Sequence, residues 1–450
     1  MNSNKLLSFS PGRIILLSLF GAIFIGALLL SLPCSRNTEI PFIDLFFTAT
    51  SSLCVTGLFT VSLDQFSLFG QAIILLLIQI GGLGLVTLSL FIMYLFTNMG
   101  FTTKLKAGKL LEIDSVATVK KMLVSAFSIT LIVEMLGAFV LFVFYKNKLP
   151  FLESSFYALF HSVSSFCNAG VLLPYTPSIF LYERSYLFLV INGLLMFIGG
   201  IGFITCYEVI GNIARVYKGK RWLISLNSKI ILYSTAMLIL SSAILFWLFE
   251  SKGIFSDLDG SLTFLNALFY AISAKSAGMI FINPAHFHVA TLFLFMIISF
   301  IGSAPTSTGS GIKVTTFLVV LATAKAAITG RSSVELFERT IDRSQVYKSL
   351  AIILISISWI ICSVVCLSIT QTGVTFSRAF MLFFESFSSF TTIGVTLGMT
   401  SQLTTVSKII IMLNMIIGRV GSLTLVFALK LRGKHDSVSF SYPKEQVLLS

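Results

Sequence analysis

The chain has 450 residues, of which 56% are hydrophobic and 11% are charged, and its mean hydropathy is +0.96. A soluble domain carries roughly 25% charged residues, so the composition excludes a cytosolic enzyme, a disordered regulator and a secreted disulfide scaffold. Apolar runs long enough to cross a bilayer recur throughout the chain. It is therefore predicted to be a multi-pass protein of the cell membrane.

The net charge of +13 is distributed unevenly between the apolar runs. Five basic residues lie in each of the segments 98–121, 214–229 and 325–348, four lie in the tail from Lys430 and two at the N-terminus, whereas the opposite connections hold seven. Because basic loops stay on the cytoplasmic side, we predict that both termini and these three loops are cytoplasmic. The charge thus indicates topology first and docking of a cytoplasmic partner second, rather than nucleic-acid binding.

Two signatures recur four times along the chain, which indicates an internal repeat. The first is a glycine with a serine five residues before it; these glycines are Gly57, Gly170, Gly278 and Gly394, spaced 113, 108 and 116 residues apart. The second signature follows each glycine after 24, 29, 24 and 24 residues, and it begins at Gly81, Gly199, Gly302 and Gly418.

Each repeat contains the same elements in chain order: a long apolar run, a short semi-apolar stretch, the glycine segment and a second long run. A helix of about 12 residues rises about 18 Å, which is too short for a hydrocarbon core of about 30 Å. The short stretches are therefore predicted to enter and leave on the same side. The first runs are 14–32, 122–145, 229–249 and 349–369, the short stretches 41–53, 153–165, 261–273 and 376–388, and the second runs 69–96, 185–213, 288–327 and 406–430.

The predicted fold is an all-α integral membrane protein with eight spans and four re-entrant pore helices around one pseudo-fourfold pore. Four span–pore helix–span repeats account for most of the chain, and the second span of the third repeat is interrupted. The repeats are 1–97, 98–213, 214–330 and 331–430, and residues 431–450 form a cytoplasmic tail.

The residues that follow each pore helix are predicted to form a cation-selectivity filter. A re-entrant helix directs the negative end of its dipole to the middle of the membrane, and the extended backbone beyond it can point carbonyl oxygens at a dehydrated ion. The segments contain no acidic residue, which favours a large monovalent cation over calcium. The candidate filter residues are Cys54, Val55, Thr56, Gly57, Cys167, Asn168, Ala169, Gly170, Lys275, Ser276, Ala277, Gly278, Thr391, Thr392, Ile393 and Gly394.

The sequence resembles the membrane subunit of the Trk/Ktr/HKT superfamily of potassium transporters, nearest the bacterial Ktr type. The resemblance covers almost the whole chain and rests on Ser52-Leu-Cys-Val-Thr-Gly57, Phe160-His-Ser-Val-Ser-Ser-Phe-Cys-Asn-Ala-Gly170, Phe384-Glu-Ser-Phe-Ser-Ser-Phe-Thr-Thr-Ile-Gly394 and Gly418-Arg-Val-Gly-Ser-Leu-Thr424. It implies one filter glycine per repeat, with potassium held at Gly57, Gly170, Gly278 and Gly394.

The resemblance also bears on ion preference. In some plant relatives a serine at the first filter position goes with sodium selectivity, so Gly57 implies potassium. The third filter departs from the family pattern, because Met279 stands where an aromatic residue is expected.

Further implications of the resemblance concern partners. The family implies a homodimer in membrane lipid, each protomer with its own pore, and a cytoplasmic RCK-type nucleotide-binding regulatory subunit. This chain carries no nucleotide-binding fingerprint, so it is predicted to bind no cofactor of its own. Any regulating nucleotide is then held by the partner, while potassium, or alternatively sodium, is the transported ion.

The second span of the third repeat is interrupted by a segment that cannot hold a regular helix, because glycine and proline disfavour one. The family places an intramembrane gating loop here, and it places the arginine of the fourth repeat, Arg419, beneath the filter. The alternatives are a simple helix kink, and for Arg419 an ion pair with Glu134, Glu208 or Glu385. The candidate gate residues are Gly302, Ser303, Ala304, Pro305, Thr306, Ser307, Thr308, Gly309, Ser310, Gly311 and Arg419.

Other polar residues near the filters are predicted to be structural. Lys275 is expected to point outward, toward a carboxylate or a helix end, and Glu385 is expected to tie its pore helix to neighbouring backbone. Side-chain oxygens either bind the ion or brace the filter, and the sequence leaves both roles open for four residues. These are Thr56, Asn168, Thr391 and Thr392.

The predicted function is potassium uptake with channel-like conduction, and the chain is predicted not to be an enzyme. The alternative is a sodium-preferring or weakly selective monovalent cation transporter of the same fold. An alternating-access carrier is disfavoured, because carriers usually have inverted or paired repeats. A membrane enzyme is disfavoured because no catalytic triad, carboxylate pair or metal cluster is evident; the pairs Cys362–Cys366 and His286–His288 are read as filler rather than as a bridge or a zinc site.

Overall fold

The structure is a computed structural model that describes residues 11–84, 116–173, 180–371, 373 and 375–421. Within these residues the chain is almost wholly helical. The exception is a two-stranded antiparallel hairpin in the third basic loop, which the sequence did not predict. It pairs β1 (Glu335–Leu336) with β2 (Arg339–Thr340).

The described residues of the first two repeats contain eight α-helices. In repeat one a long helix, a short helix and a second long helix follow each other; repeat two has the same order with a four-residue helix inserted and a break in its last element. The helices are α1 (Pro11–Ser31), α2 (Phe42–Leu53), α3 (Leu68–Gly82), α4 (Val116–Tyr145), α5 (Phe151–Phe166), α6 (Phe180–Glu183), α7 (Tyr186–Ile201) and α8 (Phe203–Tyr217).

In the part of repeats three and four that the structure describes, seven α-helices follow in the same order, with the break in repeat three at the predicted place. The helices are α9 (Leu226–Glu250), α10 (Gly260–Ser276), α11 (Val289–Ile301), α12 (Val314–Ile328), α13 (Arg343–Thr370), α14 (Phe376–Thr391) and α15 (Thr405–Val420). The first runs and the short stretches lie within a few residues of their predicted bounds. The predicted parts 85–96 and 422–430 of two second runs lie outside the described residues.

Three described helices are long and apolar enough to cross a membrane by themselves: Val124–Tyr145, Leu226–Glu250 and Arg343–Thr370. The bent pair α7–α8 makes a fourth when it is counted as one span. These helices agree with a multi-pass membrane protein. The count of eight spans and the predicted repeat boundaries stay predictions.

The bend between α7 and α8 corrects one inference from the sequence. The run 185–213 was expected to be one span, and the interruption of repeat three was taken to be unique to that repeat. The second run of repeat two is also interrupted, at Gly202, which adopts a positive φ of 94°. Glycine tolerates this conformation where other residues are strained, so the last glycine of the second signature of this repeat, Gly199-Gly-Ile-Gly202, breaks the helix.

The four short helices are packed around a common centre. Each short helix contacts the two long helices of its own repeat, and the second long helix of each repeat also contacts the short helix of the next repeat. The pairs between repeats are α3 with α5, α7 with α10, α11 with α14, and α15 with α2. Because the last repeat packs against the first, the arrangement is a closed ring.

Three of the four second long helices begin with a side-chain hydroxyl cap. The side chains of Ser67, Ser185 and Thr404 accept a backbone N–H in the first turn of α3, α7 and α15, which satisfies a donor that would otherwise lack a partner. In repeat three His288 provides no such cap, and Glu250 accepts the His288 N–H at 2.9 Å instead. A side-chain acceptor for a backbone N–H therefore fixes the start of all four second long helices.

Candidate ion pathway

The four filter glycines lie in a closed cycle. A Cβ atom at any one of them would fall less than 3.0 Å from a backbone oxygen of the following repeat, closer than real Cβ atoms approach. In every case that oxygen belongs to the residue just before the next filter glycine. The pairs are Gly57 with Ala169, Gly170 with Ala277, Gly278 with Ile393, and Gly394 with Thr56.

The backbone conformation around these glycines is also shared. All four have φ between 62° and 86°, the left-handed region that strains other residues. In repeats one, two and four, the residue two positions earlier also has a positive φ, at Val55, Asn168 and Thr392. Such conformations in non-glycine residues concentrate at functional sites. Val55, Asn168 and Thr392 are among the candidate filter residues named from the sequence, but nothing in the sequence indicated their left-handed conformation.

The second signature explains how the long helices approach the filter. A Cβ atom at Gly81, Gly199 or Gly418 would clash with the backbone oxygen four residues before the filter glycine of the same repeat, at Leu53, Phe166 and Phe390. The first glycine of the signature thus allows the second long helix to touch the end of the short helix. Gly302 in repeat three differs, because its close neighbours are Ser310 of the candidate gate segment and Ile312 just after it.

The helix ends do not coincide in the four repeats. The helices α2 and α5 end four residues before their filter glycine, whereas α10 continues to Ser276 and α14 to Thr391. Lys275, Ser276 and Thr391 therefore lie in the last turn of a helix rather than in extended backbone, which corrects the predicted start of the third and fourth segments.

The side-chain oxygens that the sequence left undecided fall into two groups. Asn168 donates to the Thr308 hydroxyl at 2.6 Å and accepts from the Ser276 hydroxyl at 2.8 Å, and Thr391 donates to the backbone of its own helix at 2.9 Å. These two side chains brace the filter. The buried hydroxyls of Thr56 and Thr392 have no hydrogen-bond partner among the described residues, so they remain available to an ion.

The segment Gly302–Gly311 is non-helical and is held by the neighbouring repeat. The N–H groups of Ala304 and Thr308 donate to the backbone oxygens of Gly200 and Gly199, at 3.1 and 3.2 Å. The Thr308 hydroxyl donates to the backbone oxygen of Phe166 at 2.9 Å, at the end of α5. The segment therefore lies directly against the second filter, and Thr308 connects the two. Nothing in the sequence distinguished Thr308 from the other hydroxyl residues of this segment.

Arg419 joins the same segment from the fourth repeat. Its guanidinium donates to the Thr308 backbone oxygen at 2.5 Å and to the Ser310 hydroxyl at 2.9 Å, and it also donates to the backbone oxygen of Gly81. The ion pairs of the described residues are Arg331–Glu335 and Lys408–Asp44. An ion pair of Arg419 with Glu134, Glu208 or Glu385, the alternative considered from the sequence, is therefore not formed.

Two further buried cations lie near the filter. Lys275 donates to the Thr235 hydroxyl within α9 at 3.1 Å, rather than to the carboxylate or helix end expected from the sequence. Lys313 donates to the Gly309 backbone oxygen at 2.9 Å and thereby closes the end of the candidate gate segment. Both ammonium groups are held by neutral oxygens.

Carboxylates act as structural ties at this site. Glu385 of α14 accepts from the hydroxyls of Thr396 and Thr400, the latter at 3.0 Å, and so fixes the segment after the fourth filter as predicted. Asp44 of α2 pairs with Lys408 of α15 at 2.5 Å, and both side chains are mostly buried. This pair joins the last repeat to the first. The sequence did not indicate it, because the two residues are 364 positions apart.

The described residues show no metal cluster or disulfide. No group of three or more His, Cys, Asp or Glu side chains that could hold a metal ion occurs in the described part of the chain. All six cysteines are free, including Cys362 and Cys366. The zinc site and the disulfide, which were disfavoured from the sequence, therefore receive no support among the described residues.

The fold and the ring of glycines define a helical membrane protein of the transport class, and comparisons with known proteins agree. The TrkH family model, described as a cation transport protein, matches residues 20–438, and the chain belongs to this family. Its members and the chain's relatives are transporters rather than enzymes, which confirms both the resemblance and the non-enzymatic prediction.

Several relatives match along nearly their full length. The chain is 33% identical to the potassium/sodium uptake protein NtpJ of Enterococcus hirae, covering 98% of this chain and 97% of the relative. It is 33% identical to the Ktr system potassium uptake protein B of Vibrio alginolyticus, covering 97% and 94%. The crystal structure of the potassium transporter TrkH from Vibrio parahaemolyticus matches with a TM-score of 0.73 at 18% identity, over 94% of this chain and 86% of that chain.

Proposed function

We propose that this chain takes up potassium through a pore lined by backbone carbonyls at the ring of four filter glycines. The observation that carries the proposal is the closed cycle of glycines and carbonyl oxygens, in which each repeat supplies one of each. A ring of backbone carbonyls replaces the hydration shell of a monovalent cation. Relatives named for potassium uptake support the same ion.

The electrostatic environment of the glycine ring stabilises a cation although the filter segments offer no carboxylate ligand. The four short helices direct their C-terminal ends to the ring, and the negative ends of their dipoles stabilise positive charge. The four filter segments contain no acidic residue. The hydroxyls of Thr56 and Thr392, which lack partners among the described residues, are candidates for additional ion ligands.

The gate in this proposal is Gly302–Gly311, held closed by Arg419. Hydrogen bonds from a charged donor are stronger than neutral ones, and Arg419 makes two with this segment, to Thr308 and Ser310. A cation at this place also repels a permeating ion. Opening then requires that the segment leave Arg419 and the second filter.

The assembly in this proposal is a homodimer in the cell membrane with both termini cytoplasmic. The basic loops and the tail present positive charge on the cytoplasmic side. A cytoplasmic nucleotide-binding subunit of the RCK type docks there and regulates the gate. This chain holds no cofactor of its own, and any nucleotide effect comes from that partner.

A second candidate is a sodium-preferring or weakly selective transporter. The name of the Enterococcus relative, potassium/sodium uptake protein, favours this candidate. Reconstituted proteoliposomes that take up potassium and sodium in parallel assays separate the two. Potassium uptake well above sodium uptake is expected; equal uptake would overturn the potassium assignment. Growth of a potassium-uptake-deficient bacterium in low potassium, with and without a regulatory subunit, tests the partner.

A further inference from the structure

An apolar groove opens beside the candidate gate, between repeats three and four. Its volume is about 490 Å³, within the range of about 300–1,000 Å³ that is usual for small-molecule pockets. The walls come from α11, α12, α13 and α14, and every lining side chain is Phe, Ile or Met. None of the filter or gate residues described above lines it.

The groove lies at membrane depth. Ile357 and Ile361, at its mouth, lie near the middle of the 28-residue helix α13, which is one of the helices long and apolar enough to span. Phe383 and Phe387 of the short helix α14 form another wall. A helix of this length and hydropathy crosses the hydrocarbon core, so the exposed face of α13 at this level meets lipid and the groove opens into hydrocarbon rather than into water.

The chemistry of the walls restricts what can fill this space. Water needs two to four polar partners, and cavities lined only by apolar side chains stay dry. The mouth residues Ile297, Ile357 and Ile361 are exposed, so the groove is continuous with the bilayer. Lipid hydrocarbon is the apolar material present there at high concentration.

We propose that the groove binds one acyl chain of a membrane lipid, and that this chain supports the closed position of the gate segment. Ile301, the residue immediately before Gly302, lines the groove, and so does Phe317 in the first turn of α12. The bound chain therefore contacts both helices that flank the segment. The effect on the gate rests on the proposed function, whereas the binding of the acyl chain does not.

Tryptophan fluorescence tests the binding directly. The protein has three tryptophans, and Trp359 packs in the hydrophobic cluster that contains Ile360, Phe383 and Phe387 of the groove. In a Trp222→Phe, Trp247→Phe background, Trp359 is the sole tryptophan and is excited at wavelengths where tyrosine does not absorb. Phosphatidylcholine vesicles with bromine atoms midway along the acyl chains are expected to quench it, since bromine quenches only near the indole.

The double variant Ile297→Phe, Ile357→Phe fills the groove with side chains. Its Trp359 fluorescence is expected to lose most of this quenching. The matched control, Leu354→Phe with Ile369→Phe, adds the same rings at exposed sites of α13 outside the groove and is expected to retain it. Equal quenching in both pairs would overturn the proposal. The proposal would also be overturned if the protein without these substitutions showed no quenching and two copies of the chain crosslinked to each other at the groove.

Ion flux is measured separately in vesicles without bromine. Filling the groove with side chains replaces the lipid contact permanently, so the flux of the Ile297→Phe, Ile357→Phe variant is expected to lose its dependence on acyl-chain length. A dependence that persists would refute the effect on the gate. If the unfilled protein carries no potassium at all, the proposed function fails while the quenching result still decides whether the acyl chain binds.

Discussion

Gly278 lies so close to the backbone oxygen of Ile393 that a Cβ atom would clash with it, and its φ of 65° also disfavours any other residue. The two residues belong to successive repeats, so the contact joins the third filter to the fourth. Gly278→Ala must displace that carbonyl oxygen, and we expect it to abolish potassium uptake in proteoliposomes.

The control for this substitution is Gly21→Ala in α1, where a Cβ atom meets no atom within 4 Å. Gly21→Ala is expected to leave uptake unchanged, and alanine favours a helix over glycine. Uptake by Gly278→Ala equal to that of the unsubstituted protein, at matched membrane insertion, would contradict the ring of glycines as the conducting site.

Arg419→Ala is expected to raise potassium flux and to weaken its regulation. The substitution removes the hydrogen bonds to Thr308 and Ser310, and hydrogen bonds to charged groups contribute about 1.5–3 kcal/mol each. A closed state destabilised by that amount corresponds to a flux increase of about tenfold or more. Flux is compared with Arg378→Ala, which removes an arginine from the start of α14 far from the gate in sequence and structure; an unchanged or reduced flux in Arg419→Ala would argue against a gate.

Asp44→Asn is expected to destabilise the protein, because it leaves Lys408 charged and without its partner in a mostly buried place. Breaking a buried pair costs about 3–5 kcal/mol, whereas replacing both members by neutral groups costs much less. The melting temperature in detergent should therefore fall strongly in Asp44→Asn and recover in the double variant Asp44→Asn, Lys408→Met. A double variant no more stable than the single one would show that the pair contributes nothing beyond its separate members.

The stability of the protein should depend on pH through Glu183, which ends α6 outside the membrane-spanning segments. Burial raises the pKa of this carboxyl from its usual 4.5 to about 7, and nearby Arg184 partly opposes the shift. The folded state therefore binds the proton more tightly than the unfolded state. The stabilisation is complete below about pH 4.5 and is lost as the pH rises through about 7.

Glu183→Gln removes the charge and should abolish this part of the pH dependence. We expect its melting temperature to exceed that of the unsubstituted protein at pH 8 and to approach it at pH 4.5. Glu153→Gln, at the exposed start of α5, serves as the comparison. The interpretation is refuted if both variants melt at the same temperature as the unsubstituted protein throughout this range.

Much of the architecture could be predicted because the repeat places the same residue types at the same offsets. The filter glycines and the first glycine of the second signature stand where a neighbouring backbone leaves no room for a Cβ atom. A glycine that recurs at the same offset in each repeat makes such a position visible in the sequence. The break at Gly202 was missed because apolar residues continue on both sides of it, and hydropathy does not distinguish a bent span from a straight one.

The partners of the buried cations could not be predicted for a different reason. Lys275 and Arg419 are satisfied by the neutral oxygens of Thr235 and Thr308, and a sequence contains many such oxygens but few carboxylates. The partners considered from the sequence were therefore carboxylates or, for Lys275, a helix end, and no particular neutral oxygen could be named. The contact of Arg419 with Thr308 spans 111 residues and exists only because the ring brings the third and fourth repeats together.

The closure of α15 on α2 also constrains how the molecule is made. A chain leaves the ribosome from its N-terminus, and early domains generally fold as they emerge. The first filter cannot do so, since Thr56 meets Gly394 only after the fourth repeat has been synthesised. The first filter therefore stays incomplete until the fourth repeat has been inserted, so the ring is completed only at the end of synthesis.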